Sequence, residues 1–125
     1  MKFQPDSLDG ANTIARHDGV RVWIGNQAFE GSIVVPWSGA VRTWRPRRFD
    51  ELTADDFDTL LREQPEIVIF GSGTRLRFPQ PSLWRRLIER RVGIESMDTA
   101  AACRTYNVLV SEGRNVVAAL LLETH

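Results

Sequence analysis

The sequence predicts a layered α/β domain, and three observations carry that prediction. Strand-like and helix-like patterns alternate through the second half of the chain. The least polar strand, residues 66–70, runs straight into glycine. The first half consists instead of short alternating segments separated by glycine turns. A chain of 125 residues suits one domain, since domains commonly run to about 100–150 residues. Folding at this size buries roughly two-thirds of the unfolded surface, so no metal or disulfide staple is required. The expectation is a single domain over residues 1–125.

Residues 20–24, 32–35 and 41–44 read as a small antiparallel β meander, with Val20, Val22 and Ile24 on one face and Arg21 and Trp23 on the other. Residues 53–62 read as a helix. Thr53 is its N-cap, Asp55 and Asp56 lie in its positive first turn, and Phe57, Leu60 and Leu61 recur at helical spacing. Pro65 forbids continuation. The run Glu66, Ile67, Val68, Ile69, Phe70 is too apolar to face water on either side, which suits a central, parallel strand. A second helix spans residues 82–91, with Leu83, Trp84, Leu87 and Ile88 on its core side and an arginine-rich outer side. Gly93 ends it, and residues 94–97 make a strand. Asp98 or Thr99 then caps a helix to about residue 110, and residues 115–122 form the last strand.

Composition removes several function classes. The longest apolar stretch, residues 116–122, is far short of the ~20 residues that span a bilayer. Residues 1–10 carry Asp6 and Asp9 and show neither an apolar signal core nor an arginine-rich presequence. A cytoplasmic chain not inserted in the membrane is expected. Sixteen basic residues balance sixteen acidic ones, so no global field draws in nucleic acid, and none is expected as a partner. Cys103 is the single cysteine. With no local base it reads as a buried structural thiol rather than a nucleophile. His17 and His125 are isolated, and neither a metal site nor a cofactor is expected.

Two ligand constellations stand out. The loop Gly71, Ser72, Gly73, Thr74, Arg75 follows the most apolar strand, where ligands of open α/β sheets bind and where glycine lets them approach the backbone. The dinucleotide and P-loop spacings are absent, so the loop is either a small-anion site or a conformational turn. Asp98 and Thr99 follow the next strand and would lie beside that loop if the two strands are parallel. Capping the following helix explains the same two residues. Trp37, Trp44 and Arg45, with Arg42, Arg47 and Arg48 nearby, form a candidate protein interface, because tryptophan and arginine dominate interface hot spots. Packed tryptophans beneath solvated arginines are the alternative.

The residues Ile69 to Thr74 with Arg77-Phe78-Pro79, Gly93-Ile94-Glu95 with Met97-Asp98-Thr99, and Ala102-Cys103 with Thr105-Tyr106-Asn107 and Ser111 to Arg114 resemble the Mth-type domain family of unknown function. The resemblance covers nearly the whole chain, including Gly31-Ser32-Ile33 and Pro36-Trp37. It implies a three-layer α/β domain whose central mixed sheet is flanked by helices and whose last strand is antiparallel to the others. It brings no catalytic residues. Members that include the mitochondrial complex I assembly factor three imply a role in assembling a membrane protein complex. The resulting expectation is a non-catalytic binding or assembly module with a protein partner. The alternative is a small-molecule or anion-binding protein or enzyme using the 71–75 loop with Asp98.

Overall fold

The glycine-separated segments of the first half pair with one another only in part. In the computed structural model, which describes residues 10–123, β1 (Ile14–His17), β2 (Arg21–Ile24) and β3 (Gln27–Glu30) make a three-stranded antiparallel sheet. β4 (Ile33–Pro36) and β5 (Arg42–Thr43) belong instead to a five-stranded sheet completed by β6 (Ile67–Gly71), β7 (Gly93–Met97) and β8 (Val116–Leu120), in the order β5-β4-β8-β6-β7. The meander is therefore present but assembled differently: of the three segments expected in it, only residues 20–24 contribute. All four residues of β4 are buried, which a strand on a half-exposed sheet does not require and an interior strand does. Residues 1–9, in which no targeting segment is expected, and His125 lie outside the described residues.

β6 is parallel to both neighbours, with Gly71 opposite Met97 of β7 and Leu120 of β8. The last strand thus corrects the expectation carried by the resemblance. β8 runs parallel to β6 and β7, and the reversed strand is β4, paired antiparallel to β8. Alternate side chains on the five-stranded sheet feed two cores. Val34, Val68, Phe70, Val117 and Ala119 pack beneath α1 (Ala54–Asp58) and α2 (Arg85–Glu89), with Phe57, Leu60 and Leu87 entering from that side. Ile33, Val35, Ile69, Ala118 and Leu120 pack against α3 (Thr99–Ser111) and the small sheet, with Ala102, Cys103, Tyr106 and Val22. The result is three layers.

Thr53 caps α1 with a full capping box: its Oγ1 accepts the Asp56 amide, and the Asp56 carboxylate accepts from the Thr53 N–H. A 3₁₀ turn, Thr59–Glu63, continues α1 before Pro65. The second expected helix is a 3₁₀ turn, Pro81–Trp84, leading into α2, and only Leu87 of this pair is fully buried. Ile88, expected on the core side, is 56% exposed. Leu83 and Trp84 are partly buried against the same core as Leu87, while the change from 3₁₀ to α geometry leaves Ile88 turned outward. Two α3 side chains tie the layers together. Tyr106 Oη donates toward the Asn12 and Pro36 carbonyls at 2.8 and 3.0 Å, and Asn107 exchanges two hydrogen bonds with the Ile14 backbone.

Candidate functional site

The three parallel strands end side by side, and the loops leaving β6 and β7 depart toward opposite faces, the first to α2 and the second to α3. That divergence opens a crevice at the carboxyl ends of the strands, the usual ligand position in open α/β sheets. A cleft of about 260 Å³ occupies it, bordered by His17 of β1, Gly73, Thr74, Asp98, Leu121 and Glu123, with Thr99 and Ala100 at the start of α3.

The polar groups around this cleft bond mainly to one another. Ser72 is buried; its Oγ donates to the Arg75 and Met97 carbonyls and accepts the Arg77 N–H. Thr99 Oγ1 accepts the Gly73 N–H at 2.9 Å and donates to the Leu121 carbonyl at 2.8 Å, and the Thr99 N–H donates to the Gly73 carbonyl. Asp98 caps α3 by accepting the Ala101 N–H at 2.8 Å. Arg77 forms an ion pair with Glu123 at 2.7 Å, donates twice to the Ser72 carbonyl, and lies over the Phe49 ring.

Of the sequence-predicted ligand residues, Gly73, Thr74, Asp98 and Thr99 come together at the cleft, whereas Gly71 and Ser72 lie beneath it. Arg75 is exposed and does not border it. The guanidinium that reaches these loops belongs to Arg77, which does not border the cleft but pairs with Glu123, which does; neither Glu123 nor His17 is among the ligand residues the sequence predicts. Arg77 had a signal, since it stands in the same motif as the loop glycines. Nothing local marks Glu123, which follows an apolar strand.

Trp44 corrects the predicted interface. It is 3% exposed, packs edge-on against Phe57 and Phe70, and donates its indole N–H to the Asp56 carbonyl. Arg45 folds back onto Asp56 in a two-pronged pair at 2.8 and 2.6 Å. Trp37 does reach the surface, at 37% exposure. Cys103 is buried and its thiol is pushed up to about 11 by burial, against a weaker opposing effect of Arg104, so little thiolate exists at neutral pH. Among the described residues no group of three or more His, Cys, Asp and Glu side chains is arranged to hold a metal ion. None of the described helices is long and apolar enough to cross a membrane.

The family profile described as "Protein of unknown function (DUF498/DUF598)" matches residues 14–121. The bovine NADH dehydrogenase [ubiquinone] 1 alpha subcomplex assembly factor 3 is 34% identical over 99 residues, covering 78% of this chain and 53% of that protein. The chain spans about half the length of the curated relatives of that kind which it matches. A Bordetella parapertussis crystal structure superposes with a TM-score of 0.86 at 34% identity, over 91% of this chain and 98% of the other. A Bordetella pertussis solution structure described as an Mth938-like domain gives 0.84 at 28% identity, over 98% and 93%.

Proposed function

Since the chain belongs to the DUF498/DUF598 family of proteins of unknown function, we propose that it is a non-catalytic binding module that holds a partner protein while a larger membrane protein complex is put together. The observation that carries this reading is its similarity to the bovine assembly factor across 78% of the chain. The site chemistry agrees with it. Ser72, Thr99, Arg77 and Glu123 are engaged in internal bonds, and burial holds the Cys103 thiol protonated. A nucleophile with an adjacent base is what acyl or group transfer needs. We propose a cytoplasmic location together with this reading.

The test is deletion of the gene in its source organism, with the NADH dehydrogenase complex resolved on native gels. The expected outcome is loss of the full-size complex and accumulation of smaller intermediates, restored by a plasmid copy. An unchanged complex would overturn the reading.

A second reading, a small-molecule site, is favoured by the cleft where Gly73, Thr74, Asp98 and Thr99 meet. Its border holds Asp98 and Glu123, the second already neutralised by its ion pair with Arg77, so Asp98 is the bordering carboxylate left without a cationic partner among the described residues, and a neutral or cationic ligand suits it better than the anion first expected there. In a thermal-shift screen against a metabolite library, such a ligand stabilises the wild type and loses that effect with Asp98→Asn, a change that keeps a good N-cap. No stabilisation by any compound would remove this reading.

A further inference from the structure

The segment 74–91 holds six arginines and one acid, Glu89. Arg77 is committed to Glu123. The other five, Arg75, Arg85, Arg86, Arg90 and Arg91, are exposed, and none enters an ion pair with the described residues. The chain as a whole is neutral, so this positive charge is local and the remainder of the molecule carries the balancing negative charge.

Large apolar side chains share the segment. Phe78 is 67% exposed and Leu76 52%, and Ile88 stands among the arginines of α2. Directly after Phe78, Pro79, Gln80 and Leu83 join Phe49 and Leu52 around a groove of about 250 Å³. Its wall is preformed. Phe49 is held by the Arg77 guanidinium 4.7 Å from its ring centre and by its own N–H, which donates to Glu123. The acids next to Phe49, Asp50 and Glu51, already face Arg48.

From this arrangement we infer that segment 74–91 and the groove of Phe49, Leu52 and Leu83 form a docking face for an acidic segment of a partner protein, anchored by an aromatic or aliphatic side chain. The inference rests on the binding-module reading above and adds to it a place and a partner chemistry. A concave apolar slot beside an exposed phenylalanine accepts an inserted side chain, which is how interface anchors contribute most of their energy. The free arginines offer planar two-pronged contacts to carboxylates and steer an acidic partner toward the slot. A lipid surface would use the same charge but has no side chain to fill the groove.

The test is selection of a displayed library of random 16-residue peptides on the wild-type protein, with counter-selection on Phe78→Ser/Arg85→Glu/Arg86→Glu. All three side chains are exposed, and unchanged thermal midpoints verify that the variants fold. Enriched peptides should carry net negative charge and at least one large apolar residue. A synthetic enriched peptide should bind about tenfold more weakly to Phe78→Ser and to Arg85→Glu/Arg86→Glu. Arg104→Glu, at an exposed position of α3 on the other face of the sheet, should leave its affinity unchanged. Enrichment of neutral or basic peptides, no enrichment, or equal weakening by Arg104→Glu would overturn the inference. So would salt-sensitive binding to phosphatidylglycerol vesicles that is lost with Phe78→Ser, which would assign the face to a membrane surface. If the variants complement the gene deletion fully, the docking face is wrong while the assembly reading stands.

Discussion

Gly71 and Gly73 exclude a side chain for different reasons. Gly71 has ordinary backbone geometry, but a Cβ there would stand 2.9 Å from Thr99 Oγ1 and 3.1 Å from Thr99 Cα, so the start of α3 would have to move. Gly73 has φ +104°, and its Cβ would lie 2.6 Å from Arg77 Nη2 and 2.9 Å from Glu123 Oε1. Gly71→Ala should cost about 1–3 kcal/mol by overpacking, and Gly73→Ala about as much from backbone strain alone, both read from urea unfolding. Adding Arg77→Ala should remove the contact with that guanidinium but neither the contact with Glu123 nor the strain, so a double variant as stable as Arg77→Ala alone would contradict the φ argument. The thiol gives another residue-scale check. At pH 8 Cys103 should react with a disulfide reagent only after unfolding, and fast labelling of the folded protein would refute its burial.

At the scale of elements, α1 shows how one carboxylate serves two neighbours. Burial opposes ionisation of Asp56, but hydrogen bonds from Arg45 and Thr53 outweigh it, and its carboxyl sits below the ordinary value. A pKa lower in the folded than in the unfolded chain contributes stability above the unfolded value of about 4 and loses it as pH falls through the folded one. Asp56→Asn should therefore be less stable than wild type at neutral pH, with the gap narrowing below about pH 4 in urea titrations. A gap independent of pH would mean that ionisation of Asp56 is immaterial. The Thr53 cap was legible because capping is written within four residues, and so were β6, α3 and β8, whose patterns are long and strong. The partners of β4 were not. An apolar four-residue run fits a small meander and a large sheet equally, and the pairing with β8 spans more than eighty residues of chain. β1 and β3 escaped notice because Ile14–His17 and Gln27–Glu30 lack the β-branched runs that mark strands. The candidate site was half legible for the same reason. Glycine and Asp-Thr leave local marks, whereas Glu123 and His17 reach the cleft only through the tertiary fold.

For the whole molecule, the decisive element is β8. It lies between β4 and β6, contributes to both cores, and is buried along its length. A chain ending at Asn115 should show no cooperative unfolding transition by circular dichroism, whereas removal of a surface element would leave one; a cooperative transition in the truncated chain would mean that β4 and β6 find another pairing. The position of β8 also fixes the order of events during synthesis. β4 is made early, β6 midway, and the strand that joins them last. Residues 37–115 must be translated between the end of β4 and the start of β8, which takes about 4–16 s at the usual pace of about 5–20 residues per second. Val34 and Val35 throughout that interval, and Ile69 and Phe70 once they have been made, belong to strands whose shared partner is missing, open to pairing with another nascent chain. The growing polypeptide is therefore most exposed to aggregation just before β8 emerges, and slower translation lengthens that exposure.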